Sequence, residues 1–517
     1  MPNKSTDTLF QLIKSLEKSE KRNFKLYVKR NSANEDLKII QLFDALDKML
    51  EYDENQLLNK HKSIKKQQLS NTKAHLYKQI LSSLRLIKNE NNIDIQLREQ
   101  LDHARILYNK GLYLQSLKML DRIKENAQTF NQLSILIEVL FFEQKIEGLH
   151  ITRSLQDRAD RLASEVNQAN TRLSLVGRLS NLSLQLYSWY IRNGLARNEN
   201  DENAVHDFFE QNLPSDWSSC TGFFEQLYLF QSFTWYAFIR QDFLLYYRYT
   251  QKWVDLFEKE KGMIGIETAH YIKGLHNLLG AHFDLLNYTK FIDVLKHFED
   301  FSQSAVVQTN DNNRIQTFVY LYISKINKHF IDGTFTEGLK LVPFIEEKLK
   351  EYGLYLDRHR ILVFYYKFAS LYFGSGDYEQ AITYLNKIIN WKVDLRTDLQ
   401  CYSRLLHLIA HYELGNYQLL EYLIKSVYRF MAKMGNLSLV EEEIFMFLRK
   451  SFKLTTKELQ PEFEKLLTKL KKYEKNRFET RAFVYLDIIS WLESKIRRAD
   501  VQDIIREKFL AKQKPGR

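Results

Sequence analysis

The sequence predicts an all-α protein built from repeated helix pairs, and three observations carry that prediction. Glycine (17) and proline (5) are scarce over 517 residues. Sheet and loop-rich proteins need both at turns, whereas helix interiors exclude them. Apolar residues recur at helical spacing, as in Tyr378, Ala381, Ile382 and Leu385 at i, i+3, i+4 and i+7. One short turn frame also returns along the chain, which is the mark of a repeat architecture.

The clearest unit spans 361–390. It reads as a helix, a tight turn at Gly374-Ser375-Gly376-Asp377, and a second helix. Ala369 in the first helix and Ala381 in the second are small, as close helix packing requires. The frame of small residue, aromatic, turn and second helix is here Ala369, Tyr372, Gly376-Asp377-Tyr378 and Ala381-Ile382. It returns at Gly111-Leu112-Tyr113 with Ala104 in the small position, at Gly333-Thr334-Phe335 and at Gly415-Asn416-Tyr417. Weaker copies stand at Gln241-Asp242-Phe243 and Leu286-Asn287-Tyr288, with further turns read near Gly148 and Gly194.

These residues resemble the tetratricopeptide repeat (TPR) family. The resemblance implies a right-handed superhelical solenoid of antiparallel helix pairs, about eight here. The turn markers 111, 148, 194, 241, 286, 333, 376 and 415 are separated by 37–47 residues, against a family period of about 34. The helices should therefore be longer than usual and the array divergent. The chain also resembles large TPR-like proteins of Bacteroidetes-type bacteria, a likeness that implies architecture and no function. The many Lys, Asn, Ile, Tyr and Phe residues fit an AT-rich bacterial genome.

The flanks complete the organisation. Residues 1–95 read as a helical N-terminal region with stretches at 6–30, 35–51, 54–60 and 71–89. In the last, Leu76, Ile80, Leu84 and Ile87 form one stripe. The repeat array covers 96–435. Residues 436–510 read as C-terminal capping helices, opened by capping boxes at 438–441 and 455–458, and 511–517 as a flexible tail. The stretches 198–203, 213–216 and 308–313 read as loops.

Composition narrows the classes of function. Two cysteines, Cys220 and Cys401, are too few for a disulfide framework or a cysteine metal cluster. The N-terminal residues lack the apolar core of a signal peptide, and no apolar run reaches the 18 residues of a membrane span. A cytoplasmic protein is expected. The net charge of +11 divides into +6 over 1–100, −4 over 101–448 and +9 over 449–517. Basic ends can mark anionic partners or simply solvated helix faces.

No Gly-rich phosphate loop, G-x-S-x-G elbow or H-E-x-x-H motif is present, so neither an enzyme nor a cofactor is expected. His407 and His411 share a helical face at i, i+4, but Leu408, Ile409 and Ala410 separate them and the motif's glutamate is missing. His282, His329 and His411 each stand four residues before a turn marker, where the best unit has Tyr372. They read as packing rings with a polar tip, and no metal site is expected. Lys60, Lys62, Lys65, Lys66, Lys73 and Lys78 make 60–78 the best candidate for contacting nucleic acid through phosphates, with a solvated face as the plain alternative. The cluster Lys465, Lys469, Lys471, Lys472 and Lys475 reads as an exposed helix face, with contact to nucleic acid or another anionic partner as the alternative.

The family resemblance further implies a concave face lined by the first helix of each pair, which holds a peptide or a partner protein. Its groove positions fall on Arg98 and Arg105, on Lys273 and His276, on Tyr320 and Asn327, and on Tyr366 and Tyr402. The family's carboxylate-clamp pattern needs Lys and Asn one turn apart on one helix. Asn327 is present, but Ile323 stands in the lysine's place. A row of rings, Tyr108, Phe238, Phe283, Phe330, Phe373 and Tyr412, serves either as a floor for a ligand or as core. The function expected is a non-enzymatic scaffold or adaptor binding a peptide or protein. The alternative is a peptide-responsive regulator whose basic N-terminal region contacts DNA, RNA or a partner protein. Bacterial quorum-sensing receptors look similar to that design in layout, though not in motif.

Overall fold

A computed structural model describes residues 7–30, 36–60, 66–88, 92–150, 157–391, 397–435, 437–474, 476, 478–479 and 487–513. It is 84% helix with no strands among the described residues, so the all-α class holds. The chain forms two compact units, 1–170 and 171–517.

The first unit contains α1 (Thr8–Ser15), α2 (Lys18–Arg30), α3 (Asp36–Lys48), α4 (Glu54–Lys60), α5 (Lys66–Lys88), α6 (Ile93–Asn109), α7 (Tyr113–Thr129) and α8 (Leu133–Leu149). The long α9 (Arg158–Asn193) runs through the division. The second unit continues with α10 (Glu199–Asn212), α11 (Phe223–Ile239), α12 (Phe243–Lys259), α13 (Gly262–Ile266), α14 (Thr268–Asp284), α15 (Tyr288–Ser302), α16 (Ala305–Gln308) and α17 (Asp311–Asp332). It ends with α18 (Phe335–Gly338), α19 (Val342–Glu351), α20 (Arg358–Gly374), α21 (Tyr378–Ile389), α22 (Thr397–Glu413), α23 (Tyr417–Lys433), α24 (Leu439–Ser451), α25 (Thr456–Tyr473), α26 (Ile488–Arg497) and α27 (Val501–Gln513).

The turns explain why the pairs form. At 111, 131, 241, 286, 333, 376 and 415 the residue that ends a helix is left-handed, with φ between 51° and 88°. The next N–H then donates back to the carbonyl five residues earlier, at 2.7–3.1 Å: Leu112 to Leu107, Gln132 to Ala127, Asp242 to Ala237, Asn287 to His282, Thr334 to His329, Asp377 to Tyr372 and Asn416 to His411. This closure satisfies carbonyls that a helix end otherwise strands. Gly194 also ends its helix left-handed, at φ 72°. Gly148 does not, because α8 continues through it to Leu149. The turn in that region stands instead at Asn131, between α7 and α8.

Further differences are local. Asn198 and Asn310 lie in runs that read as loops, yet each side chain caps a helix, accepting from Asp201 N and Asn313 N. An Asn-rich, acidic run has the composition of a loop and equally that of a helix N-terminus, where carboxylates complement the dipole. The 6–30 stretch breaks at Leu16–Glu17, and α5 begins at Lys66, more than a turn before 71. Helix α27 reaches Gln513, so the expected tail is partly helical; 514–517 lie outside the described residues. Both capping boxes are present, Ser438 with Glu441 and Thr455 with Glu458.

In the second unit α12 packs on α14, α14 on α17, and α21 on α22. A large core runs from Ile315 to Ile505, with a second around Phe257, Tyr271 and Phe298. The C-terminal helices do more than cap the last pair. Trp491 Nε1 donates to Glu413 Oε1 at 2.6 Å. Helix α27 lies against a turn far back in the chain: Arg506 Nη1 donates to Asp332 O at 2.9 Å, Gln502 Oε1 accepts from Thr336 Oγ1 at 2.9 Å, and Phe509 meets Tyr288 edge-on at 4.6 Å.

Candidate functional site

Helices α11, α14, α17 and α20 each open a pair in the second unit, and their side chains form a continuous row. Tyr187 of α9 lies against Trp235 of α11 at 4.9 Å between ring centres. The Lys273 ammonium of α14 sits over Trp235 at 5.6 Å and over Tyr320 of α17 at 5.0 Å. The Arg360 guanidinium of α20 lies over the same Tyr320 at 5.6 Å. His276, one turn along α14 from Lys273, stacks on Tyr320 at 4.2 Å and 15°. From Trp235 to Arg360 rings and cations thus alternate from one helix to the next, and the three cation–ring contacts draw on the attraction of a cation for a ring face.

Two helical turns further along α17 and α20 stands a second set. Lys367 Nζ donates to Asn327 Oδ1 at 2.6 Å. Burial lowers the Lys367 ammonium to about 8, opposed by Asp284 of α14. Burial likewise pushes the Asp284 carboxyl up to about 7, opposed by Lys367. The two are not in ion-pair contact, so each carries its desolvation cost largely uncompensated. His276 is held well below the usual imidazole range, first by burial and then by Lys273, Lys367 and Arg360. The three cations therefore act on one point. His276 Nδ1 is buried and meets no hydrogen-bond partner among the described residues. Strongly shifted groups gathered in one place are a mark of functional sites, though structural networks also produce them.

Four of the eight groove residues read from the sequence come together here: Lys273, His276, Tyr320 and Asn327. Tyr366 and Tyr402 do not line a groove; they are 7% and 1% exposed and belong to the core. Their helices are apolar on most faces, so the groove position of a shorter repeat lands inside. Arg98 and Arg105 lie in the first unit on an exposed surface. Both reach Glu138, and they pair in addition with Asp94 and Asp102, respectively. Trp235, Asp284, Arg360 and Lys367 were not legible as site residues. Lys367 carried one signal, a single cation inside the apolar run 361–373.

The rings just before the turns are packing groups in most units. Tyr108 meets Tyr113, Phe330 meets Phe335, Phe373 meets Tyr378 and Tyr412 meets Tyr417, each pair bridging the turn at 5.3–6.1 Å. Two of the three histidines of the same frame also face their turns. His329 Nδ1 pairs with Thr334 Oγ1 at 2.7 Å and His411 Nδ1 with Asn416 Nδ2 at 3.0 Å, while His282 packs on Tyr247. His407 and His411 approach at 3.3 Å. Among the described residues, no three His, Cys, Asp or Glu side chains gather as a metal site.

The basic N-terminal cluster is only partly available. Lys73 is bound into the fold: it pairs with Asp7 at 2.8 Å, hydrogen-bonds the Tyr52 hydroxyl and lies over the Tyr52 ring at 4.4 Å. Lys66 and Lys78 are exposed on α5. Lys62, Lys65 and the side chain of Lys60 lie outside the described residues. In the C-terminal cluster Lys465, Lys469 and Lys471 pair with Glu462, Glu443 and Glu493; Lys475 lies outside the described residues. No helix among the described residues is long and apolar enough to cross a membrane.

No protein-family model matches the chain, and no characterised protein matches its sequence.

Proposed function

We propose that the chain is a non-enzymatic, TPR-like interaction protein whose superhelical array binds a peptide or protein along the inner helices of the second unit. The cation–ring row from Trp235 through Lys273 and Tyr320 to Arg360 carries this reading. Stacked helix pairs create an extended face on which successive first helices present side chains. Here four successive first helices place polar and aromatic groups in one row, while their other faces supply core. Rigid aromatic anchors and cations are the residue types that carry binding energy at interfaces. A cytoplasmic adaptor fits these features best.

An affinity capture with mass spectrometry tests the reading. The unaltered protein should return one or more partners that the Lys273→Glu, Tyr320→Ala double variant loses while keeping its helical circular dichroism and melting transition. A partner set unchanged by the double variant would move the interaction off this face.

A further inference from the structure

We infer that the outward faces of α2 and α5 in the first unit dock on an anionic phospholipid surface. Leu26 and Leu81 enter the headgroup layer, between cations that meet the lipid phosphates. This surface goes beyond the interaction reading above and involves none of its residues.

The first support is charge left unpaired on one side of two helices. Lys18, Arg22, Leu26 and Lys29 stand at i, i+4, i+8 and i+11, on one face of α2. All are exposed, as is Arg30 beside them. Among the described residues, no carboxylate lies at salt-bridge distance from these four cations. The flank of the same helix differs: Lys21 and Lys25 pair with Asp47 and Asp44 of α3 at 2.7 and 2.6 Å. On α5, Ala74, Lys78, Leu81 and Arg85 make the matching face at i, i+4, i+7 and i+11, and all are exposed. Between Glu54 and Glu90 the chain carries eight Lys or Arg and no Asp or Glu, so no acid of α5 itself can neutralise them. Lys66 and Lys78 meet no carboxylate among the described residues, and Arg85 reaches Asp102 of α6 at 3.6 Å. Exposed lysines such as Lys340 and Lys425 are instead paired within a turn, with Glu337 and Glu421.

The second support is what lies among the cations. Leu26 and Leu81 are 45% and 44% exposed, and each sits in the middle of its basic face. Tyr77 and Leu86 are exposed on the two sides of the α5 face. A single exposed leucine is ordinary. Here two occupy equivalent places on helices that pack against each other. Duplex nucleic acid matches the cations but offers the leucines little apolar surface. An anionic bilayer matches both. Its negative surface potential attracts Lys and Arg, and the boundary of headgroups and acyl chains takes up apolar side chains from a helix lying in its plane.

The third support is that the face is already built. The inward residues of the two helices, Phe24 and Val28 on α2 with Leu69, Leu76 and Ile80 on α5, are buried in one core. The outward leucines are therefore additional to what the fold needs. Folded helices present them, so docking does not have to order a loose segment first.

Co-sedimentation of the full-length protein with lipid vesicles tests the inference. Vesicles of phosphatidylcholine and phosphatidylglycerol in equal parts should carry the protein down, less so as salt rises. Vesicles of phosphatidylcholine alone should not. The Arg22→Gln, Lys29→Gln, Lys78→Gln triple variant should lose about tenfold or more in apparent affinity, and the Leu26→Ser, Leu81→Ser double variant about fivefold or more. Both should keep the helical circular dichroism and melting transition, because every altered position is exposed. Lys472→Gln, at an exposed position of α25, should leave sedimentation unchanged. No sedimentation, or equal sedimentation with both kinds of vesicle, overturns the inference. So does binding to the anionic vesicles that the leucine variant leaves intact, because attraction to any polyanion would then account for it. A duplex oligonucleotide that binds the protein where the anionic vesicles do not would assign the face to nucleic acid and overturn the inference as well.

Discussion

Lys367 Nζ reaches from α20 to Asn327 Oδ1 of α17 across 2.6 Å, and among the described residues no carboxylate lies at salt-bridge distance from it. A lysine and an asparagine thus meet between neighbouring inner helices, where one helix alone offers Ile323 at the lysine's expected place. The pairing lies between residues 40 positions apart in the chain.

Stability should pass through a minimum near pH 7–8 because of Asp284 and Lys367. The unfolded chain releases the Asp284 proton near 3.8 and the folded chain near 7, so the fold holds the extra proton between them and loses stability as pH rises through that window. Lys367 gives up its proton near 8 when folded and near 10.5 when unfolded, so stability climbs again from 8 to 10.5. Thermal melts should show Asp284→Asn flattening the lower limb and Lys367→Met the upper one. Curves unchanged in both variants would show that neither group is desolvated.

Acid should weaken the fold through His407. Burial, with help from His411 and Arg404, lowers this imidazole from 6.5 to about 4. Between those values the unfolded chain binds more protons, and stability is lost as pH falls. His407→Leu should reduce the loss of urea midpoint between pH 6.5 and 4. An identical slope would place the acid sensitivity elsewhere.

Left-handed turns separate two kinds of substitution. Leu286 holds φ 51° and is exposed. Leu286→Gly should stabilise by up to about 1 kcal/mol, since an ordinary side chain in that region costs roughly 1–2 kcal/mol. Gln241 has φ 59°, but its Nε2 donates to Ala196 O at 2.9 Å in a buried setting. Gln241→Gly should therefore gain nothing or lose about 1 kcal/mol. Equal effects at both sites in chemical denaturation would contradict the account of these turns.

Gly333 and Gly376 test the return of α27. Both are left-handed, at φ 69° and 88°. A Cβ on Gly376 meets open space, whereas one on Gly333 comes within 2.5 Å of Arg506 N. Gly376→Ala should cost about 1 kcal/mol from φ alone, and Gly333→Ala clearly more. Deleting α27 should bring the two costs together. Equal costs in the full chain would detach α27 from the 333 turn.

The turns were the most legible part of the sequence, because a left-handed position favours Gly or a tolerant polar residue, Leu286 excepted, and its spacing recurs. Seven of the eight turn markers end helices in that conformation. Gly148 misled because a helix interior tolerates glycine at modest cost. Asn198 and Asn310 misled because capping and looping draw on the same residues. The site was half legible. Lys273, His276, Tyr320 and Asn327 followed from one repeat frame, while Tyr366 and Tyr402 followed the same frame into the core of longer helices. Trp235, Asp284, Arg360 and Lys367 join the site through contacts between helices, which no single helix's pattern displays.

Hydrogen–deuterium exchange of the protein with and without a captured partner tests the central claim most directly. The account predicts new protection centred on the inner helices Phe223–Ile239, Thr268–Asp284, Asp311–Asp332 and Arg358–Gly374, diminished by Lys273→Glu with Tyr320→Ala. Protection confined to the N-terminal helix Lys66–Lys88, or to the second helices Phe243–Lys259 and Tyr378–Ile389, would contradict it.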